Sequence, residues 1–235
     1  MMLFDRFENR YILKGVLAAV DPIHIGTASE SVLDPSAIDS PVLKDSRGFP
    51  VIPGSSLKGV VRSWFESVLR GAGLYACDVL DNKNCCTAKG AEERKKCTDP
   101  KKRAEMAYEC SCEVCRLFGG RELAGKLCFK DCYILGKPSL EFRDGVAIDR
   151  ETGAAKGGAK YDFEIVSKDS EFSFCLTAEN LDESQKKYFD FIVECLKSGE
   201  LSVGGMTSRG LGRFVLRDAE LQIITADDLK KRLGL

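Results

Sequence analysis

The sequence lacks long apolar runs, a signal-peptide pattern and an excess of basic charge. No run reaches the roughly 18 consecutive apolar residues that indicate a membrane-spanning helix, so we expect no membrane association. The N-terminal residues MMLFDRFENRY show no basic start followed by an apolar core, so we expect no signal peptide and a cytoplasmic location. The formal net charge of −1 does not indicate a free-standing nucleic-acid-binding domain, although basic residues confined to one face remain compatible with it.

Cysteine, by contrast, is abundant. The chain contains 11 cysteines, and seven of them fall within residues 77–115, which indicates metal binding because disulfides are rare in a reducing cytosol. Cys110, Cys112 and Cys115 have the spacing of a metal knuckle, and zinc requires four ligands in a tetrahedron. We predict that Cys77 completes a structural zinc site. The alternatives for this fourth ligand are Cys85, Cys86 and Cys97, and the predicted core cysteines are Cys128, Cys132, Cys175 and Cys195.

The hydrophobic pattern predicts one α+β domain over residues 1–235. Its clearest element is a helix in residues 53–73, where apolar residues recur at helical spacing. We expect Ser55 or Ser56 to cap this helix and Gly71 to end it. The other predicted elements are strands at 11–20, 126–135, 171–178 and 212–224, a helix at 182–199 with a capping box of Asp182 and Gln185, and a short helix from about Thr225.

This order of strand, helix, strand, strand, helix and strand is the ferredoxin-like pattern, which RRM domains share. It predicts a four-stranded antiparallel sheet with two helices on one face. Three segments interrupt the pattern: a loop over residues 21–53, a Cys-rich insertion over 77–120 and a Gly-rich hairpin over 136–165. Long segments without a pattern of their own are usually functional or disordered.

The stretch GGMTSRGLGRF (204–214) combines four glycines with Arg209 and Arg213. Glycines let backbone N–H groups approach a phosphate closely, and arginine adds charge-assisted, forked hydrogen bonds. On spacing alone, a phosphate-binding loop and a plain turn into the last strand fit this stretch equally well.

This stretch resembles the Gly-rich signature of the RAMP superfamily, the repeat-associated RNA-binding proteins of CRISPR systems. Other segments resemble the backbone subunit of type III CRISPR effector complexes, and they follow one order across nearly the whole chain. The Cys-rich insertion is similar to that of members with a zinc site, including those fused into single-chain effectors. The matching segments are IHIG (23–26), AIDSPVLKD (37–45), IPGSSLKGVVRS (52–63), CEVCRLFGG (112–120) and RDGVAIDRETGAAKGGAKYDFEIV (143–166).

The resemblance implies a subunit that binds CRISPR guide RNA, in a head-to-tail filament with copies of itself and with other type III effector subunits. It also implies cleavage of complementary target RNA at regular intervals. Residues 143–160 resemble the family's thumb, a hairpin that inserts into the guide–target duplex, and the apolar Val146 and Ile148 are expected to wedge between bases. We interpret Asp149, in the same hairpin, as structural.

The resemblance also implies that the first helix and the Gly-rich loop hold the guide. Lys58 and Arg62 are i, i+4 neighbours, and the free N–H groups and dipole of a helix start favour an anion. His24 is the single histidine, and a lone histidine is usually a structural residue. It lies beside the Asp39 loop, however, and stays a candidate RNA contact. The predicted RNA-binding residues are His24, Gly54, Ser55, Ser56, Lys58, Arg62, Val146, Ile148 and Arg209.

The resemblance maps Asp39, in the unpatterned stretch PSAIDSPVLK (35–44), onto the family's cleavage aspartate. It implies a divalent-metal-dependent endoribonuclease, in which Asp39 holds Mg²⁺ or Mn²⁺ or accepts the proton of a target 2′-OH. One carboxylate makes a weak Mg²⁺ site, so we expect metal binding only with RNA present. The expected products are a 2′,3′-cyclic phosphate and a 5′-OH. Asp34 and Asp45 are weaker candidates.

Two other functions are compatible with the sequence. The same subunit acting as a non-catalytic scaffold predicts RNA binding without cleavage, and a stand-alone zinc-stabilised RRM-like protein predicts RNA binding without a filament. A stand-alone metal-dependent enzyme on a small substrate is disfavoured, because the sequence indicates no second carboxylate and no Cys/His pair near Asp39.

Overall fold

The fold is an antiparallel sheet with helices and two inserted segments. A computed structural model describes residues 4–27, 38–81, 83 and 85–234. Its elements are β1 (Asn9–Ala19), β2 (Val51–Ile52), α1 (Gly54–Gly71), α2 (Ala91–Lys96), α3 (Pro100–Cys110), α4 (Glu113–Phe118), β3 (Leu127–Phe129), β4 (Cys132–Leu135), β5 (Leu140–Ile148), β6 (Ala155–Val166), β7 (Glu171–Glu179), α5 (Glu183–Ser198), β8 (Phe214–Thr225) and α6 (Ala226–Leu233).

The central sheet is antiparallel, as the sequence predicts, but it has six strands and not four, because the second predicted strand is divided into β3 and β4 and β2 is added at the edge. β1 pairs antiparallel with β7 on one side and with β8 on the other, and β7 also pairs with β3 and β4. The first and third core strands, β1 and β7, therefore occupy the centre, as the ferredoxin-like pattern requires. The predicted α+β fold class is confirmed.

The core lies where α1 and α5 pack on this sheet. Alternating positions of β7 are buried, and both helices bury an apolar stripe. The predicted capping box of α5 is present, because the side chains of Asp182 and Gln185 each accept from the other residue's backbone N–H. The larger buried side chains include Phe65, Phe118, Phe172, Phe189 and Phe214. Within the described ranges, no helix is long and apolar enough to cross a membrane.

The second core strand is broken, whereas the sequence predicts one strand over 126–135. The break follows from contact with the start of α1, where Gly54 N–H donates to Asp131 Oδ1 at 2.8 Å. A Cβ atom at Gly54 would lie 2.2 Å from the Phe129 carbonyl oxygen, so only glycine permits this approach. Asp131 thus takes the place of a side-chain cap, and the prediction that Ser55 or Ser56 caps the helix is wrong.

The two inserted segments have structures of their own. Residues 77–120 contain the three short helices α2, α3 and α4. Residues 136–165 contain β5 and most of β6, which form a separate two-stranded antiparallel sheet with a register shift between Val146 and Ile148.

Candidate functional site

Asp39 is held against β6 by reciprocal hydrogen bonds with Asp162. Asp39 N–H donates to Asp162 Oδ1 at 2.8 Å, and Asp162 N–H donates to Asp39 Oδ2 at 3.0 Å. Ser40 extends the contact, because its N–H donates to the Asp162 carbonyl oxygen and its carbonyl oxygen accepts from Glu164 N–H. Asp39 is exposed and Asp162 is half-buried. The predicted cleavage residue therefore lies at the surface, beside a second carboxylate that the sequence did not indicate.

His24 supports the same segment from inside the protein. Its buried ring places Nδ1 2.6 Å from the Glu164 carbonyl oxygen and Nε2 3.2 Å from Ser40 Oγ. A carbonyl oxygen only accepts, so Nδ1 carries the proton and Nε2 accepts from the Ser40 hydroxyl. The predicted RNA contact through this ring is therefore corrected: both nitrogens are used within the protein, and His24 positions the loop that carries Asp39.

Glu164 fixes the next part of this loop. Its carboxylate is buried and accepts from Val42 N–H at 3.1 Å and from Lys44 Nζ at 2.9 Å. A buried carboxylate is stable only when it is paired in this way. The segment from Asp39 to Lys44 is thus tied to β6 along its length.

The Gly-rich loop packs on the chain that leaves β1. Gly205 N–H donates to the His24 carbonyl oxygen at 2.8 Å, and Gly212 N–H donates to the Pro22 carbonyl oxygen at 2.8 Å. A Cβ atom at Gly204, where φ is +91°, would lie 2.1 Å from that His24 oxygen. These glycines therefore serve close packing of two backbones, and the N–H groups of Gly205 and Gly212 are not presented to a phosphate.

Arg209 remains at the surface of this loop. Its guanidinium lies over the Tyr161 ring, 6.0 Å from the centroid, and donates to the Tyr161 hydroxyl. Tyr161 precedes Asp162 in β6. Arg209 thus contacts β6 one residue before Asp39 does, through a side chain that points to the opposite face from that of Asp162.

The start of α1 is less open to an anion than the sequence suggests. Gly54 N–H is used by Asp131, and Ser56 N–H donates back to the carbonyl oxygen of Pro53. Ser55 is exposed, and burial lowers the pKa of the half-buried Lys58. The Asp131 carboxylate opposes a second negative charge at this helix terminus.

Arg62 is directed toward the Cys-rich insertion. It donates to Glu66 Oε1 at 2.9 Å, to the Gly119 carbonyl oxygen at 2.8 Å and to Cys115 Sγ at 3.4 Å. Its side chain is only 16% exposed. The predicted RNA contact through Arg62 is therefore corrected, since the guanidinium joins α1 to the insertion.

Four buried cysteines form a candidate metal centre: Cys77, Cys86, Cys112 and Cys115. Their sulfur atoms all lie within 4.8 Å of one another, and the separations from Cys77 Sγ to the other three are 3.5, 3.5 and 3.7 Å. Tetrahedral zinc, with Zn–S bonds of about 2.3 Å, requires sulfurs about 3.8 Å apart. Burial raises the pKa of the Cys77 thiol to about 11, so a thiolate here needs a bound cation. The cluster has the ligands and the spacing to bind a metal ion such as zinc.

The cluster contains Cys86 in place of the predicted ligand Cys110. Cys110 is the last residue of α3, and its sulfur faces Gly90, 3.8 Å from the position of a Cβ there. Cys112 and Cys115 lie at the start of α4, so the ligand spacing is Cys-x2-Cys, and Cys86 supplies the remaining sulfur. Among the predicted core cysteines, Cys132 and Cys195 are buried, Cys175 is half-buried and Cys128, on the outward position of β3, is exposed.

The β5–β6 hairpin exposes apolar side chains. Val146 is 44% and Ile148 is 60% exposed, and Phe142, which the sequence analysis did not single out, is 63% exposed. Asp149 accepts from Glu151 N–H at 3.0 Å and Thr152 N–H at 2.9 Å in the turn, in agreement with a structural role.

Asp45 and Asp34 are the two weaker candidates for the cleavage residue. Asp45 closes its own turn, because its carboxylate accepts from Arg47 and from Phe49 N–H. These bonds, with that to the Arg47 side chain first, hold the pKa of Asp45 below its usual value. Asp34 lies outside the described residues.

Comparison with protein-family models decides the family. The model described as the RAMP superfamily matches residues 16–215. The chain belongs to the RAMP superfamily. The resemblance seen in the sequence is confirmed.

Two relatives of this RAMP protein cover most of its length. A protein of Methanocaldococcus jannaschii named "CRISPR system Cms endoribonuclease Csm3" is 28% identical over 227 residues, which span 91% of this chain and 81% of the relative. A Streptococcus thermophilus protein of the same name is 30% identical over 209 residues, which span 81% of this chain and 80% of the relative. These relatives support a backbone subunit of a type III CRISPR system.

Proposed function

We propose that this RAMP protein binds CRISPR guide RNA and cleaves the paired target RNA through Asp39. The observation that carries the proposal is the placement of Asp39: it is exposed, and two backbone-to-carboxylate hydrogen bonds fix it against the β5–β6 hairpin. The names of the curated relatives, which describe endoribonucleases, agree with this activity.

Several polar and basic groups of the described surface can contact RNA. Arg209 can pair with a phosphate, and Lys58 and Ser55 at the start of α1 offer further contacts to a sugar-phosphate backbone. Val146 and Ile148 are exposed on the hairpin, where they can wedge between bases, at a cost of about a few kcal/mol for each unstacked step. Sequence specificity then comes from base pairing between guide and target, since the protein contacts the backbone.

Assembly explains how a chain of net charge −1 binds RNA. Copies stacked head to tail use a heterologous interface, which generates a filament. The basic residues of successive copies then line one continuous groove, together with other type III effector subunits. A cytoplasmic location fits this assembly.

Cleavage requires only that Asp39 acts on a target nucleotide whose backbone has left A-form geometry. The 2′-oxygen attacks the adjacent phosphorus and loses its proton, and the bond from phosphorus to the 5′-oxygen of the next nucleotide breaks as that oxygen takes up a proton from water. The products are a 2′,3′-cyclic phosphate and a 5′-OH. Asp39 can accept the proton, or share a Mg²⁺ or Mn²⁺ ion with a phosphate oxygen of bound RNA, which supplies charge neutralisation.

The four-cysteine cluster is assigned a structural zinc ion in this proposal. Four thiolates complete a tetrahedron and leave no open position for water, so the ion stabilises the insertion and takes no part in cleavage. Arg62, which contacts Cys115 Sγ and Glu66, links that insertion to α1.

The test compares Asp39→Ala with wild type in the assembled complex, using guide-matched RNA. We expect the single-turnover cleavage rate to fall at least about 100-fold, which corresponds to roughly 2.7 kcal/mol of transition-state stabilisation, while target affinity is unchanged. Asp45→Ala, in the same loop, is the matched control and should cleave at the wild-type rate. Retained cleavage by a clean Asp39→Ala complex would reject the proposal.

The wild-type complex and the isolated chain together separate the two alternatives. A non-catalytic scaffold predicts guide binding and no cleavage by the wild-type complex. A stand-alone zinc-stabilised RRM-like protein predicts RNA binding by the isolated chain and no filament.

A further inference from the structure

Asp39 lies beside a second aspartate, Asp162, to which the sequence analysis assigns no role. The pair exchanges two hydrogen bonds, each from a backbone N–H to the other residue's carboxylate. The ring that these bonds close fixes the backbone of Asp39 and the rotation of its side chain together. Among the described residues, Asp39 Oδ2 accepts from Asp162 N–H, and no partner engages Oδ1.

Asp162 is itself held rigidly. It lies inside β6, where its cross-strand partner in β5 is Asp144. The residue before it, Tyr161, contacts Arg209, and the residue after it, Phe163, is buried against the His24 ring at a centroid distance of 5.8 Å. The irregular segment that carries Asp39 is therefore aligned by a strand whose neighbouring residues are fixed by packing.

We infer that Asp162 is a positioning residue for RNA cleavage, whose carboxylate holds Asp39 N–H so that Asp39 Oδ1 faces the substrate. This inference rests on the proposed function of Asp39. A displacement of about 1 Å in a reacting group can lower the reaction rate by as much as about 100-fold. Loss of one bond of the pair lets the Asp39 segment move while the rest of the hairpin stays in place.

Asparagine and alanine substitutions of Asp162 distinguish a positioning role from a direct role of its negative charge. Asp39 N–H needs only an acceptor oxygen on residue 162, and the Oδ1 of an asparagine supplies it. An alanine supplies none. A residue that helps to hold a divalent cation through its negative charge would instead lose its effect in both variants.

The hairpin offers a matched control. Asp144 lies directly opposite Asp162 in register, is exposed, and forms an ion pair with Lys160 Nζ at 3.2 Å. Asp144→Ala therefore removes a carboxylate from the same hairpin without removing the bond to Asp39.

The experiment measures single-turnover cleavage and target affinity for complexes assembled with wild type, Asp162→Ala, Asp162→Asn, Asp144→Ala and Asp39→Ala. We expect Asp162→Ala to cleave roughly 10- to 100-fold more slowly at saturating target, with unchanged target affinity. Asp162→Asn should stay within about 3-fold of wild type, and Asp144→Ala should match wild type. Thermal unfolding of each isolated chain shows whether a variant has lost its fold.

Three results overturn the inference: a wild-type rate for Asp162→Ala, an equal loss in Asp162→Asn, or an equal loss in Asp144→Ala. If Asp162→Ala does not assemble, the Asp162→Asn result decides, because a slow Asp162→Asn contradicts positioning by a hydrogen bond. Failure of the proposed function is distinct, since Asp39→Ala would then cleave normally. A slow Asp39→Ala beside a fast Asp162→Ala rejects the positioning role alone.

Discussion

At the residue scale, the charged groups that this chain buries are held by specific partners. Lys126 is the clearest example, because its ammonium donates to the Asn180 carbonyl oxygen and to Gln185 Oε1, both at 2.6 Å. The Tyr108 ring lies 5.5 Å below it, and Gln185 Nε2 donates to the Tyr108 hydroxyl at 2.9 Å. This network joins α3 of the insertion to the start of α5.

The buried ammonium predicts a stability that rises with pH. Burial lowers the pKa of Lys126 to about 8 from an ordinary value of 10.5. Between these two values the folded state binds fewer protons than the unfolded state, so the free energy of unfolding increases with pH. We expect wild type to gain about 1–3 kcal/mol over Lys126→Met between pH 7 and pH 10.

Urea unfolding of the two chains at several pH values measures this difference. The difference between the chains removes contributions of groups that both share. Parallel pH profiles would show that Lys126 keeps an ordinary pKa, and a wild-type curve that falls relative to the variant would contradict the sign.

The role of a residue was predictable from the sequence only where the residue lies in a recognisable local motif. Asp39 could be found because its flanking residues resemble a family pattern. Asp162 could not, because its contact with Asp39 spans 123 positions and requires the pairing of a loop with β6. His24 shows the converse: its place beside the Asp39 loop suggested an RNA contact, but the fold buries the ring.

At the element scale, helices with a strong apolar period were predicted well, and segments shaped by tertiary contact were not. α1 and α5 follow the sequence closely, since their buried stripes and the capping box are local signals. The strand at 126–135 is broken because Asp131 bonds the N-terminus of α1, which no local pattern reveals.

Whether Cys86 or Cys110 joins the four-cysteine cluster also depends on tertiary structure. Both lie in the Cys-rich insertion, but the α3 helix turns Cys110 away, and the short turn that begins at Cys86 brings that sulfur inside.

Cysteine substitutions test the metal centre. We expect Cys86→Ser to weaken zinc binding by more than the roughly 10- to 100-fold typical of changes outside the ligand sphere, because a ligand is lost. Cys110→Ser, the matched control, should keep the wild-type stoichiometry and affinity. Elemental analysis and competition with a chelator measure both.

Two results would contradict the assignment. Metal retained by Cys86→Ser but lost by Cys110→Ser would restore the ligand set predicted from sequence. Wild-type protein without stoichiometric zinc would remove the zinc proposal itself.

At the scale of the whole molecule, one strand organises the surface that we assign to RNA. β6 fixes Asp39 through Asp162, Arg209 through Tyr161 and Lys44 through Glu164. The same strand forms the hairpin that exposes Val146 and Ile148 on its partner β5. The hairpin, Asp39 and Arg209 are therefore all held by β6. If the hairpin inserts into a duplex as we propose, this strand also fixes Asp39 relative to the target.

The most direct test of this account is the chemistry of the cut RNA ends, analysed by mass spectrometry. With guide-matched target and Mg²⁺, the assembled wild-type complex should yield 2′,3′-cyclic phosphate and 5′-OH ends at regular intervals. The complex with Asp39→Ala should hold the same target and yield neither. Ends with a 3′-OH and a 5′-phosphate, or undiminished cyclic phosphate from the Asp39→Ala complex, would contradict the account.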